Sequence, residues 1–119
     1  MERVEGVGGV FIRSPDPDRL RAWYAEHLGV EIAEWGGCVF SATGGETLTW
    51  AVFPCDTDYF PGAAMVNFRV RDLDALLAQL RAAGVDVDPQ VMEHENGRFG
   101  WAVDCDGNRV ELWQPAPGQ

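Results

Sequence analysis

The strongest constraint on this chain is that it repeats itself. Residues 8–32, GGVFIRSPDPDRLRAWYAEHLGVEI, and residues 64–87, AMVNFRVRDLDALLAQLRAAGVDV, follow one plan. Each runs from an apolar stretch through an acidic cap into a helix and ends in Gly-Val-acid-apolar. In the first copy Asp16 is placed to cap the helix and Pro17 to occupy its first position. Leu20, Trp23, Tyr24 and Leu28 fall on one helical face, and Gly29 ends the helix. In the second copy Asp72 caps, Leu73, Leu76, Leu77 and Leu80 form the stripe, and Gly84 stops it.

Short strands are expected after each helix. Alternation and turn residues place them at 31–35, 38–42 and 46–53 in the first half, with turns at Gly36-Gly37 and Thr43-Gly44-Gly45. In the second half they fall at 90–95, 98–104 and 109–114, divided by Asn96-Gly97 and Asp106-Gly107. Each half is then a βαβββ unit, too small to bury a core alone, so the two form a single domain over residues 1–119. Module one covers about 5–53 and module two about 63–114. The linker is 54–62, PCDTDYFPG, an aromatic loop. The fold class is α+β, with curved mixed sheets enclosing a cleft.

Composition narrows the function. The net charge of −10 disfavours nucleic acid and anionic membrane surfaces, which need basic patches. No apolar run reaches the ~18 residues of a membrane span, and Met-Glu-Arg-Val-Glu lacks the features of a secretory signal. Cys38, Cys55 and Cys105 are odd in number and widely spaced. They form neither a disulfide framework nor a zinc pattern, so they read as buried small residues in a cytoplasmic protein. Five Trp and six Phe exceed what a core of this size demands and can line a pocket.

The segment CDGNRVELW, residues 105–113, contains the most informative position. Glu111 lies between Val110 and Leu112. In a strand, Val110 and Leu112 face one side while Arg109, Glu111 and Trp113 face the other. The helix of each module covers one sheet face, so Glu111 belongs to the uncovered one, which must meet water, a partner or a ligand.

Three segments carry a family resemblance: GGVFIRSPDPDRLRAWYAEHLGV, NFRVRDLDALLAQLRAAGVDV and GRFGWAVDCDGNRVELWQP. Together they resemble the glyoxalase / bleomycin-resistance / extradiol-dioxygenase group, the vicinal oxygen chelate superfamily, over nearly the whole chain. The resemblance implies paired βαβββ modules, often in a homodimer whose sheets pair across the two chains. In metal-bearing members it also implies a divalent ion held by His, Gln or Glu from the first and last strands of each module. The positions that match here are Gly9, Thr49, Met65 and Glu111, and only Glu111 is a suitable ligand. The neighbours Gly8, Val10, Leu48, Trp50, Ala64 and Val66 supply none. The expectation is a member with no metal centre and no cofactor.

Candidate ligand-binding residues are Glu111, Trp113, Phe11, Asn67, Thr49 and Phe60. Glu111 and Asn67 would orient a ligand that stacks on Trp113 and Phe11, while the Tyr59-Phe60 loop covers the cleft. Each also has a plain structural reading: an inherited carboxylate paired with an arginine, sheet packing, a connector tucked into the core. His27 suits the C-terminal dipole of its helix. His94, in Glu93-His94-Glu95, reads as a solvated sheet edge separated from Glu111 by one strand, on the order of 10 Å. The leading function is binding of an aromatic or cationic small molecule, as in drug-sequestering members. The rivals are a metal-dependent lyase, isomerase or dioxygenase of the same group, and an interaction module whose cleft is filled by its partner chain. No catalytic residue is assigned.

Overall fold

The computed structural model describes residues 1–41 and 45–118. The expected strand end at Ala42 and the turn residues Thr43 and Gly44 lie outside the described residues. Module one comprises β1 (Val4–Ser14), α1 (Pro17–Leu28), β2 (Gly37–Ser41) and β3 (Thr47–Pro54). Module two comprises β4 (Ala64–Val70), α2 (Leu73–Ala82), β5 (Asp86–Val87), β6 (Met92–His94), β7 (Gly97–Val103) and β8 (Arg109–Pro115).

The strands form one open sheet in the order β2-β3-β1-β4-β8-β7-β5, with β6 also paired to β7. The two halves repeat the same pairings. β1 and β3 are parallel, as are β4 and β8, while β2 and β7 pair antiparallel with β3 and β8 respectively. The halves join antiparallel through β1 and β4 within the chain. Register shifts between Val4 and Gly6 and between Val7 and Gly9 interrupt that pairing.

Both helices start as the sequence dictates. The Asp16 and Asp72 side chains accept from the backbone N–H groups of Arg19 and Ala75. Gly29 closes α1 with φ 68°, a left-handed conformation that glycine adopts without a Cβ clash. The packing that follows differs. α2 buries Leu73, Leu76 and Leu77 against Val70 and Leu112. Gly100 permits that approach, since a Cβ there would lie 3.1 Å from Leu77 Cδ1. No residue of α1 is buried, which corrects the expectation of an equivalent stripe. Tyr24 packs its ring 4.6 Å from that of Trp50, but Trp23 and Leu28 are exposed.

Residues 31–33 are irregular and 34–35 a turn, in place of the strand expected over 31–35. Hydrogen bonds from Ala33 N–H to Gly37 O and from Gly36 N–H to Ala33 O close the turn. Arg21 of α1 then clamps it, donating to Gly36 O at 2.7 Å and to Val52 O at 2.8 Å. The cysteines also differ from expectation: Cys38 is buried, but Cys55 and Cys105 are exposed. Among the described residues no helix is long and apolar enough to cross a membrane.

The unequal helices predict unequal mutational costs. Leu77→Ala is expected to destabilise the fold by about 2–5 kcal/mol through the cavity it leaves. Leu28→Ala, at the matching edge of α1, is expected to cost less than about 1 kcal/mol. Urea unfolding of the two variants checks this, and equal losses would contradict the asymmetry.

Candidate functional site

The face opposite the helices is crossed by one row of residues. Val39, Thr49, Gly9, Asn67, Glu111 and Trp101 are successive cross-strand partners on β2, β3, β1, β4, β8 and β7. The row places Asn67 beside Glu111. Met65, the position matched from the sequence, sits two residues away, opposite Phe11. It is packed with Phe60 and Trp101.

Glu111 is 1% exposed. A carboxylate so buried requires donors, and three elements supply them. Asn67 Nδ2 of β4 donates to Oε1 at 2.7 Å. Trp101 Nε1 of β7 donates to Oε2 at 2.9 Å. The hydroxyl of Tyr59, from the linker, also donates to Oε2. This orientation of the Asn67 amide follows from the carboxylate, since the reverse would set two oxygens against each other. It leaves Asn67 Oδ1 buried without a hydrogen-bond partner among the described residues, close to Gly8. A side chain at Gly8 would overlap that oxygen, so glycine is required there by close approach.

Arg13 of β1 holds the linker in place. Its guanidinium donates to Cys55 O at 2.8 Å and to Phe60 O, and lies 5.0 Å from the Phe60 ring centroid. Phe60 is thereby turned into the core, 1% exposed, away from the cleft where the sequence placed it. Tyr59 lines the cleft instead. Its ring stacks on Phe53 at 5.6 Å, and Phe53 in turn contacts Phe11 at 5.6 Å. Burial, the negative charge of Glu111 and the hydrogen bond to it push the Tyr59 phenol well above the ordinary tyrosine pKa.

The resulting cleft has a volume of about 750 Å³, within the range of small-molecule sites. Phe11, Thr49, Asn67, Glu111 and Trp113 all line it. Trp113 is packed rather than open: Arg69 lies 4.9 Å and Phe99 6.2 Å from its ring, and its indole N–H donates to Asn96 O. A ligand therefore meets Phe11, Phe53 and Tyr59 more freely than Trp113. Trp35 and Val39 border the cleft from the β2 side, His94 and Glu95 from the other. His94 is exposed on β6, one strand removed from β8. No arginine lines the cleft among the described residues, and the chain contains no lysine. Nor do the described residues contain a cluster of three or more His, Cys, Asp or Glu able to hold a metal.

Of the Tyr59-Phe60 loop expected to cover the cleft, Tyr59 lines it and Phe60 does not. Trp101 donates to Glu111 from β7. Its alternation with Gly100 and Ala102 does put it on the face of Glu111, and its indole N–H could have marked it as a donor.

A family model described as "Glyoxalase/Bleomycin resistance protein/Dioxygenase superfamily" matches residues 6–112. Among solved structures, methylmalonyl-CoA epimerase from Mycobacterium tuberculosis is 27% identical, with a TM-score of 0.68 over 96% of this chain and 90% of that one. A variant of methylmalonyl-CoA epimerase from Streptomyces coelicolor, in complex with 2-nitronate-propionyl-CoA, has a TM-score of 0.76. It is 19% identical over 96% of this chain and 99% of that one. A glyoxalase/bleomycin resistance protein/dioxygenase superfamily member from Vibrio splendidus 12B01 has a TM-score of 0.61 at 12% identity, over 96% and 99% of the two chains. The comparison with curated proteins returned no match.

The Tyr59–Glu111 contact predicts an alkaline signature. The folded-state pKa of Tyr59 is raised, so its contribution to stability is complete below the ordinary value of 10.0 and is lost as pH rises above it. Absorbance at 295 nm is expected to show a phenol component that ionises only as the chain unfolds and is absent in Tyr59→Phe. Glu111→Gln is expected to move that component to lower pH. Ionisation of Tyr59 near pH 10 in the native chain would contradict the contact.

Proposed function

The chain belongs to the Glyoxalase/Bleomycin resistance protein/Dioxygenase superfamily, and we propose that it is a small-molecule-binding member whose cleft works without a metal centre. The observation that carries this reading is the state of Glu111. Its carboxylate is already satisfied by Tyr59, Asn67 and Trp101, which are neutral donors. Its companions in the sheet row are Thr49, Gly9 and Asn67. These present a hydroxyl, no side chain, and an amide whose N–H₂ end faces the carboxylate. Such a set does not fit a divalent ion, which takes three or more oxygen, nitrogen or sulfur ligands from the protein.

The same features define the ligand class. The floor carries a carboxylate, the walls are the aromatic rings of Phe11, Phe53 and Tyr59, and Glu95 stands at the margin. A neutral or cationic aromatic molecule complements this surface. The acyl-CoA thioester bound by the Streptomyces relative is a different case, because its phosphates and carboxylate-like head seek cations. The three hydrogen bonds that hold Glu111 favour a binding role for it over proton transfer. Three free thiols, two of them exposed, support a reducing cytoplasmic setting for this function.

A matched pair of probes tests the reading. Isothermal titration with 2-naphthylmethylammonium is expected to show saturable binding, whereas 2-naphthoate and propionyl-CoA are expected to show none at the same concentrations. Glu111→Gln is expected to weaken the cation by about tenfold, the loss of one screened charge interaction. Tighter binding of naphthoate or propionyl-CoA than of the cation would overturn the assignment.

A further inference from the structure

The Asn67 amide has two polar ends, and contacts within the chain account for one. Its Nδ2 donates to Glu111 Oε1 at 2.7 Å, which turns Oδ1 the other way. Asn67 is 3% exposed, and Oδ1 has no hydrogen-bond partner among the described residues. A buried carbonyl oxygen without a donor destabilises the fold until something supplies one. Its surroundings are not donors. A Cβ at Gly8 would stand 2.3 Å from Oδ1 and 2.9 Å from Trp113 Cε3, so a residue without a side chain and the carbon edge of an indole meet there. The neighbouring indole and phenol donors are committed elsewhere: Trp113 Nε1 to Asn96 O, Tyr59 and Trp101 to Glu111 Oε2.

This oxygen belongs to the cleft wall, because Gly8, Asn67 and Trp113 all line the cleft. Of its two covers, Gly8 is sheet backbone and Trp113 contributes the edge of a ring, so the ring edge is the one that yields to an incoming group. The oxygen is also a better acceptor than an ordinary amide. An amide that donates to a carboxylate is polarised, and its carbonyl accepts more strongly. Asn67 thus carries part of the charge of Glu111 to the wall, while three donors already fill most of the acceptor capacity of the carboxylate itself. Module one has no equivalent. Gly9 pairs with Thr49 as Asn67 pairs with Glu111, so the acceptor marks one end of the cleft.

We propose that Asn67 Oδ1 accepts a hydrogen bond from an N–H of the ligand, which is therefore an aromatic ammonium that keeps at least one N–H: primary, secondary or tertiary, and not quaternary. This inference rests on the cationic-ligand reading and narrows it. Charge and aromatic rings alone accept a quaternary ammonium as readily as any other. A buried acceptor rejects it, because the oxygen stays unpaired when the group beside it carries only methyls. Asn67 is then the specificity-determining residue, with Glu111 holding its amide in place and polarising it.

Isothermal titration at neutral pH tests it with 2-naphthylmethylammonium and its N,N-dimethyl and N,N,N-trimethyl derivatives, which share one ring system and one charge. The two methylated probes differ by a single methyl in size and by the last N–H. The primary and dimethyl probes are expected to bind comparably, and the trimethyl probe about tenfold more weakly or worse. In Asn67→Ala, with its fold checked by circular dichroism, the preference for dimethyl over trimethyl is expected to disappear. A readout that needs no variant is the carbon resonance of the Asn67 side-chain carbonyl, expected to move downfield with the dimethyl probe and not with the trimethyl one. Equal affinity for those two probes would overturn the inference and leave the cationic reading standing. A preference that persists in Asn67→Ala, or a carbonyl resonance that stays in place, would do the same. Binding of none of the three cations would overturn the cationic reading, and this inference with it.

Discussion

The structure depends on how it accommodates one buried carboxylate. Glu111 is nearly inaccessible, and a charged group in that position must be hydrogen-bonded or the fold loses several kcal/mol. The three donors come from the linker, from β4 and from β7, while Glu111 itself is on β8. The cage therefore fixes the order of three adjacent strands and pins the connection between the modules above them. Arg13 holds the same linker from the far side. With Tyr59 held by both, the phenol ring is a fixed part of the cleft wall, and Phe53 and Phe11 stand in line beside it.

Duplication explains the architecture, and divergence of the copies explains its asymmetries. Both modules retain the acidic cap, the helix and the parallel pairing of first and last strands. Module two kept an apolar helix face of leucines and an outer pair of strands. Module one replaced the first with a half-exposed helix and the second with a turn. Its stability comes instead from Arg21, whose guanidinium bridges α1 to backbone carbonyls at Gly36 and Val52, and from the β1–β4 seam shared with its partner module.

The features legible in the sequence were those set by local rules. Asp16, Pro17, Gly29 and Asp72 specify helix ends through contacts within a few residues, and strand alternation put Phe11, Thr49, Asn67, Glu111 and Trp113 on one face. Features set by distant contacts were not legible. The repeat matched Met65 to Gly9, but the strand register puts Gly9 beside Thr49 and Asn67 beside Glu111, and only the pairing between distant strands reveals it. Tyr59 and Phe60 are adjacent aromatics in a loop, and the contacts of Arg13 with Phe60 and of Glu111 with Tyr59 decide which one turns to the cleft. Residues 31–35 alternate like a strand, yet Arg21 and the flanking glycines make a turn the better solution.

The central claim is that this cleft binds its ligand through protein groups alone, with Glu111 committed to Tyr59, Asn67 and Trp101. Metal retention tests that most directly. Tag-free protein would be incubated with Zn²⁺, Ni²⁺, Mn²⁺ or Fe²⁺, dialysed gently and measured by elemental mass spectrometry. The account predicts trace metal only, with no difference between wild type and Glu111→Ala. A stoichiometric ion in the wild type that disappears in Glu111→Ala would contradict it, and would mean that Glu111 leaves its cage to serve as a metal ligand.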